Sequence, residues 1–330
     1  MRREFAALPE IVALISPDVG ITIDGTPVTL VVTSPESFGT SLLRATGSAE
    51  WVNALEPLPP GPDEEEVFAR IGMPFVPPEL REGHPSREPP PALIELDQIR
   101  GDLHCHTTWS DGKASVLEMG AAARDLGYQY LAICDHTPHV TVVPGLDADA
   151  LRRQAVEIAA ANEQLAPFRI LRGTECDIRS DGDLDLPDDV LAELDWVQLS
   201  LHAGQRAPRE ELTARVIDAM RHPAVRCLSH PTGRLIGHRP ENALGLERVI
   251  EVALATDTAL EVNGLPDRLD LRGEHVRTAV AAGVTIVCST DAHSVRGLGN
   301  MAASVHTARR GHAVAANVLN TRPLEQILRS

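Results

Sequence analysis

Seven short apolar runs punctuate the chain from about residue 98 onward, each followed by polar residues of narrow chemical type. The runs lie at Leu103–His106, Tyr130–Cys134, Arg169–Cys176, Trp196–His202, Arg226–His230, Ala259–Asn263 and Thr285–Ser289. Each is four to eight residues long or close to it and reads as a buried strand. Between most of them lie stretches with helical spacing of apolar positions: Val116 to Leu126, Ala148 to Leu165, Asp188 to Leu194, Glu210 to Arg221, Leu246 to Ala255 and Glu274 to Ala282. Strands alternating with helices predict parallel pairing, because parallel neighbours need a crossover. The runs close on His104-Cys105-His106, Asp135-His136, Glu175, His202, His230 and Asp291-Ala292-His293; only the run at Ala259–Asn263 ends in an amide, Asn263. In an open sheet such residues would be strung along a line. In a barrel of parallel strands they converge on one face, so the pattern predicts an α/β barrel.

Upstream the pattern changes. Residues 1–56 contain alternating runs at Gly20–Ile23 and Val28–Val32 around Asp24-Gly25, which predicts a β-hairpin, and then a helical stretch from Ser37 to Ala54. This is a small N-terminal α+β appendage. Residues 57–97 are crowded with proline, including Pro59-Pro60, Pro77-Pro78 and Pro89-Pro90-Pro91. They are expected to form an extended linker with one short helix near Glu64 to Ile71, and Phe68, Phe75 and Val76 are expected to pack against the downstream part of the chain. Residues 98–330 form the barrel domain.

Composition narrows the function classes. The net charge of -17 disfavours binding along an extended duplex, which needs many cationic contacts to phosphates. No apolar stretch nears the roughly 20 residues that span a bilayer, and the N-terminus carries no signal-peptide pattern. The five scattered cysteines form no C-x-x-C, which points to a reducing cytoplasm.

The chemistry lies in the strand ends. On a strand, residues two apart share a face, so His104 and His106 point together, as do Asp291 and His293. With His136, Glu175, His202, His230 and, from the first loop, Asp111, nine candidate ligands meet in one barrel mouth. Buried imidazoles and carboxylates without partners are costly, which favours a metal reading. Mixed imidazole and carboxylate donors suit Zn, Mn or Fe better than Mg or Ca. Nine ligands exceed what one ion uses, so two to three divalent ions are expected, with Glu175 and Asp291 as bridging carboxylates. A metal-bound water would serve as nucleophile, and the ions would clamp a phosphoryl group. Asp135 faces away from the mouth by parity. Arg234, four residues past His230, is expected to bind a substrate phosphate.

The segments Asp102-Leu103-His104-Cys105-His106-Thr107-Thr108-Trp109-Ser110-Asp111-Gly112, Cys134-Asp135-His136, Gly173-Thr174-Glu175, Ser200-Leu201-His202, Ser229-His230-Pro231 and Ser289-Thr290-Asp291-Ala292-His293 resemble the PHP (polymerase and histidinol phosphatase) superfamily. The resemblance covers roughly residues 98–325. It implies a distorted seven-stranded (β/α)7 TIM-like barrel, a trinuclear site with all nine ligand positions filled, and metal-dependent phosphoester hydrolysis. A narrower resemblance is to the C-terminal part of bacterial family X DNA polymerases. Ser34-Pro35-Glu36-Ser37-Phe38-Gly39 and Thr46-Gly47-Ser48 are similar to the end of their palm and start of their thumb, Pro77-Pro78-Glu79-Leu80-Arg81-Glu82-Gly83 to their linker, and Asn320-Thr321-Arg322-Pro323-Leu324 to their C-terminus. The remaining palm carboxylate would fall at Thr29, and the lyase, fingers and first carboxylate pair are missing, so residues 1–56 read as a degenerate palm/thumb remnant without polymerase activity. The resemblance implies 3′–5′ exonuclease or 3′-end processing of DNA, a repair role. The alternatives are a small-molecule phosphatase of the histidinol-phosphatase type, a non-catalytic DNA-repair scaffold, and C–N hydrolysis of the amidohydrolase type.

Overall fold

A computed structural model describes residues 1–328. The chain separates into two compact units, divided in sequence between Pro90 and Pro91.

In the first unit, helix α1 (Arg2–Phe5) precedes three short strands, β1 (Ala13–Ser16), β2 (Val19–Ile21) and β3 (Pro27–Thr29), in an antiparallel sheet of order β1-β2-β3. The predicted hairpin is β2 and β3, turning at Gly25 with φ of 87°, a conformation that glycine adopts without penalty. Its second strand is shorter than expected, and β1 was not anticipated. The single helical stretch expected over residues 37–54 is two helices, α2 (Phe38–Thr46) and α3 (Ala49–Leu55). The break is at Gly47-Ser48, where the Ser48 side chain accepts from the Trp51 N–H at 3.2 Å and starts a new helix. In the proline-rich stretch, α4 (Glu64–Arg70) is capped by Asp63, whose carboxylate accepts from the Glu66 N–H at 2.8 Å. Phe68 and Val76 share a core with Leu43, Trp51, Val52 and Val67.

The second unit holds seven parallel strands: β4 (Gly101–Cys105), β5 (Tyr130–Ile133), β6 (Arg169–Asp177), β7 (Trp196–Ser200), β8 (Cys227–Leu228), β9 (Ala259–Asn263) and β10 (Ile286–Ser289). They pair in sequence order, β4 beside β5 through to β9 beside β10. The helices between them are α5 (Val116–Asp125), α6 (Ala148–Leu165), α7 (Asp188–Leu191), α8 (Arg209–Met220), α9 (Leu246–Thr256) and α10 (Gly273–Ala282); α11 (Met301–Arg310) and α12 (Leu324–Ile327) come after β10. Local signals set the helix starts. Ser115 and Glu118 form a reciprocal capping box at α5, and Asp147 caps α6 by accepting from the Ala150 N–H at 2.9 Å.

The seven-stranded α/β barrel with a small N-terminal α+β piece is the predicted fold class. Its interior is filled by Leu103, Tyr130, Ala132, Cys134, Leu171, Trp196, Cys227 and Val287. The opposite strand face, with Leu199, Leu228, Leu260, Val262 and Ile286, packs with Val216, Ile250 and Val276 of the helices. Between the outermost strands β10 and β4 the closure is partial. At the mouth, Cys105 bridges Ala292 and the His106 N–H donates to the Ala292 carbonyl at 2.9 Å. Lower down the buried Asn320 side chain stands where an eighth strand would pair: its Nδ2 donates to the carbonyls of Gly101 and Cys288, both at 2.7 Å, and its Oδ1 accepts from the Cys288 N–H. Among the described residues no helix is long and apolar enough to cross a membrane.

Candidate metal centre

Strand geometry delivers the nine expected residues to one end of the barrel. His104 and His106 leave β4 through an irregular register between Asp102 and Cys105. Their ring nitrogens Nε2 lie 3.2 Å apart, while Cys105 between them packs against Val116, Met119 and Ala123 on the helix side. Gly112 lets the first loop fold back against His106: a Cβ there would come within 2.7 Å of the His106 backbone. That close approach brings the Asp111 carboxylate to 3.2 Å from His293 Nε2 and 3.6 Å from His136 Nε2. At β8 regular pairing stops after two residues, and Ser229 and His230 continue into the mouth. Asp291 sits in the left-handed region with φ of 51°, which Asp tolerates better than most residues.

Three overlapping groups form: His106, Asp111, His136 and His293; His104, His106 and Asp291; and His136, Glu175 and His202, the donor atoms within each lying within 4.8 Å of one another. His230 joins through Glu175, its Nε2 2.9 Å from Oε1. Glu175 lies between two sets of imidazoles. Its Oε1 also faces His202 Nε2 at 3.5 Å, and its Oε2 faces His136 Nδ1 at 2.9 Å, His104 Nε2 at 3.6 Å and His106 Nε2 at 3.7 Å. Asp291 Oδ1 lies 3.1 Å from His106 Nε2 and 3.7 Å from His104 Nε2.

The donor set fits divalent cations. Bonds of about 2 Å to a tetrahedral ion place its ligand atoms roughly 3.3 Å apart, and the facing donor atoms here include pairs at 2.9, 3.1 and 3.5 Å. His106 Nδ1, His136 Nδ1, His202 Nδ1 and Glu175 Oε2 are buried without a hydrogen-bond partner. Such orphaned atoms are expensive unless a cation takes their lone pairs. Electrostatics agree. Burial opposes a charge on His136, yet Glu175 and Asp111 push it up to about 10. Burial, with His136 next to it, pushes His106 down to about 3. Glu175, despite complete burial, is held well below the carboxylate range by His202, His104 and His136. The carboxylates demand positive charge, and crowded imidazoles can share only part of it as protons.

Further carboxylates pin the ligand-bearing backbone. Asp102 accepts from the N–H groups of His104 and Thr290, both at 3.2 Å. Asp135, facing away from the mouth as its parity predicts, accepts from Thr107 N–H at 2.8 Å, from the Ser110 hydroxyl and from Gln154 of α6. Asp177 accepts from the His202 N–H at 3.1 Å. The Arg234 guanidinium, expected to bind a substrate phosphate, turns its donors to loop carbonyls here. Its Nε donates to the Arg268 carbonyl at 2.6 Å, its Nη2 to that of Leu269, and its Nη1 faces Glu241 at 4.0 Å. It braces the loop carrying Arg268, whose Nε lies 3.5 Å from Asp291 Oδ2 and is the guanidinium beside the cluster. Sequence reasoning missed Glu261, fully buried on β9. The available signal was a carboxylate inside an apolar strand, two residues before Asn263 and so sharing its face.

A PHP domain model matches residues 102–259. The chain is 46% identical over 269 residues to the DNA polymerase/3′-5′ exonuclease PolX of Bacillus subtilis, a match covering 81% of this chain and 47% of that protein. The chain thus spans about half the length of that relative. It is 31% identical over 202 residues to a probable phosphatase of Acetivibrio thermocellus, covering 58% of this chain and 78% of the relative. Among solved structures, histidinol phosphate phosphatase of Lactococcus lactis aligns with a TM-score of 0.45 and 13% identity over 64% of this chain and 94% of its own. With its motif-bearing strand ends gathered at one barrel mouth and a relative matched over more than two thirds of its length, the chain belongs to the PHP family.

Proposed function

We propose that this chain is a metal-dependent phosphoesterase that acts on the 3′ end of DNA, as a 3′–5′ exonuclease or 3′-phosphatase, without polymerase activity. The observation that carries the proposal is Glu175, set between two groups of imidazoles, its buried Oε2 facing three of them without a hydrogen bond. That arrangement suits a carboxylate that would help hold a cluster of two to three ions of Zn, Mn or Fe type. His104, His106, Asp111, His136, Glu175, His202, His230, Asp291 and His293 would hold the ions. When bound, these would supply the Lewis acidity that activates water and neutralises phosphoryl charge. Arg268 adds a fixed positive charge beside Asp291 that favours an anionic substrate, while Asp102, Asp135 and Asp177 hold the ligand-bearing segments in register.

The likeness to the PolX relative over 81% of the chain supports the DNA 3′ end. In this reading residues 1–56 are a degenerate palm/thumb remnant, 57–97 a linker and 98–330 the catalytic domain. Thr29, standing on exposed β3 where the polymerase resemblance puts a carboxylate, is in keeping with lost polymerisation. A cytoplasmic location accords with five free, buried cysteines. The second reading, a small phosphate monoester, is favoured by the net charge of -17 and by the fuller coverage of the Acetivibrio relative. The test is to load the protein with Mn²⁺ or Zn²⁺ and compare a 3′-labelled single-stranded oligonucleotide, histidinol phosphate and an aryl phosphate. Preferential release from the oligonucleotide 3′ end is expected; turnover of the monoesters alone would transfer the conclusion to the second reading, and no turnover of any would refute a phosphoesterase.

A further inference from the structure

β9 is the strand that brings no ligand to the mouth, and it carries the most heavily solicited carboxylate in the barrel. Glu261 is fully buried. Its Oε1 lies 2.6 Å from His104 Nδ1 and 2.9 Å from Gln198 Nε2, and it also meets the Ser289 hydroxyl. Its Oε2 lies 2.6 Å from the His230 N–H, 3.2 Å from the Ser229 hydroxyl and 3.2 Å from Asn263 Nδ2.

The donors around it follow from hydrogen-bonding chemistry. The Trp196 indole can only donate, and it donates to Gln198 Oε1 at 3.0 Å. Gln198 therefore turns its NH₂ to Glu261. Asn263 Oδ1 accepts from the Leu265 N–H at 2.9 Å, so its Nδ2 also donates. The His230 contact is a main-chain N–H. Every fixed neighbour is a donor, which leaves Glu261 an ionised acceptor and makes His104 Nδ1 carry a proton toward it. His104 Nε2 then presents its lone pair toward His106, Glu175 and Asp291.

The same carboxylate reaches two more candidate ligands. It fixes the His230 backbone directly, and through Asn263, whose Nδ2 also donates to Asp291 Oδ2 at 3.0 Å, it orients Asp291. We infer that Glu261 is a positioning residue that sets the tautomer of His104 and the alignment of His230 and Asp291, so that one buried group on the ligand-free strand organises ligands from three others. The inference rests on the metal-centre reading above. It assigns β9 the task of orienting ligands where the other strands supply them.

The test compares the full-length wild type with Glu261→Gln, whose amide cannot accept from both His104 and His230, and with Glu261→Asp. Zn²⁺ binding is followed by titration calorimetry and metal analysis, with far-UV circular dichroism as the folding control. Loss of an outer carboxylate partner typically weakens metal affinity about 10–100-fold. That loss is expected for Glu261→Gln in at least one site, with partial recovery in Glu261→Asp. A second measurement needs no variant at Glu261: histidine ¹⁵N NMR of the Zn²⁺-loaded wild type, with His104 assigned through His104→Gln. It should show His104 protonated at Nδ1 and metal-bound at Nε2. Wild-type affinity in Glu261→Gln, or His104 bound through Nδ1, overturns the inference alone. A wild type that binds no divalent ion overturns the metal-centre reading and the inference with it.

Discussion

In the unit up to Pro90, the guanidinium of Arg81 is fully buried, and the surrounding fold answers it. Its Nε donates to the Val76 carbonyl at 2.9 Å, its Nη1 to the Thr46 hydroxyl at 2.6 Å and to Glu64, and its plane lies over the rings of Phe68 and Phe75. Only Nη2 lacks a hydrogen-bond partner. In the barrel unit, buried imidazoles and carboxylates face one another with several lone pairs unanswered, on His106, His136, His202 and Glu175. The difference separates two uses of buried charge. A charge matched by one opposite group, a carbonyl and a hydroxyl tightens a fold. A crowd of imidazole and carboxylate donor atoms aimed at common points, several of them without a hydrogen bond, is built for a cation from outside the chain.

The largest expected effect concerns the crowd. The double substitution His104→Ala and Asp291→Ala should abolish bound metal and hydrolysis while leaving the circular dichroism spectrum unchanged; retained hydrolysis in this variant would contradict the mechanism. Next, a chelator should destabilise the barrel unit selectively. At a free metal concentration 1,000 times the dissociation constant, linkage amounts to about 4 kcal/mol. With 5-fluorotryptophan in place of the three tryptophans, the ¹⁹F signals of Trp109 and Trp196 should move on metal removal and that of Trp51 should not. A shift at Trp51 would blur the contrast between the units.

Arg81→Met should weaken the first unit by about 2–4 kcal/mol, since it leaves Glu64 facing an apolar pocket, and leave metal content intact. Urea denaturation followed through Trp51 reads the effect. Asp270 tests the opposite sign. Burial pushes it up to about 7, above the roughly 3.9 of an exposed carboxyl. The unfolded chain therefore loses this proton first, and Asp270 lowers stability as pH rises from about 4 to about 7. Asp270→Asn should flatten that portion of the stability profile of the chelated protein. The smallest effect is at Ser48, where Ser48→Ala removes a helix cap and should cost about 1 kcal/mol.

The barrel and its ring of strand-end residues were legible because both depend on local spacing. A period of two puts His104 with His106 and Asp291 with His293, and each strand end lies in the sequence beside its own apolar run. What escaped depends on distant partners. Glu261 passes unnoticed in an apolar strand until it meets His104, 157 residues away. Asn320 looks like a loop residue until its amide reaches Gly101, 219 residues away. Nothing near Arg234 in sequence announces that the carbonyls of Arg268 and Leu269 take its donors. The split between α2 and α3 was a local signal, Gly47 and then the capping Ser48, hidden by apolar spacing that runs on across it.

The most direct test of the central claim is anomalous diffraction at the Zn or Mn absorption edge from crystals grown with that metal. The expected result is two or three peaks inside the ring, one of them between Glu175 and the imidazoles of His136 and His202, and one beside Asp291, His104 and His106. The absence of any peak in the ring, or peaks confined to surface carboxylates, would contradict it.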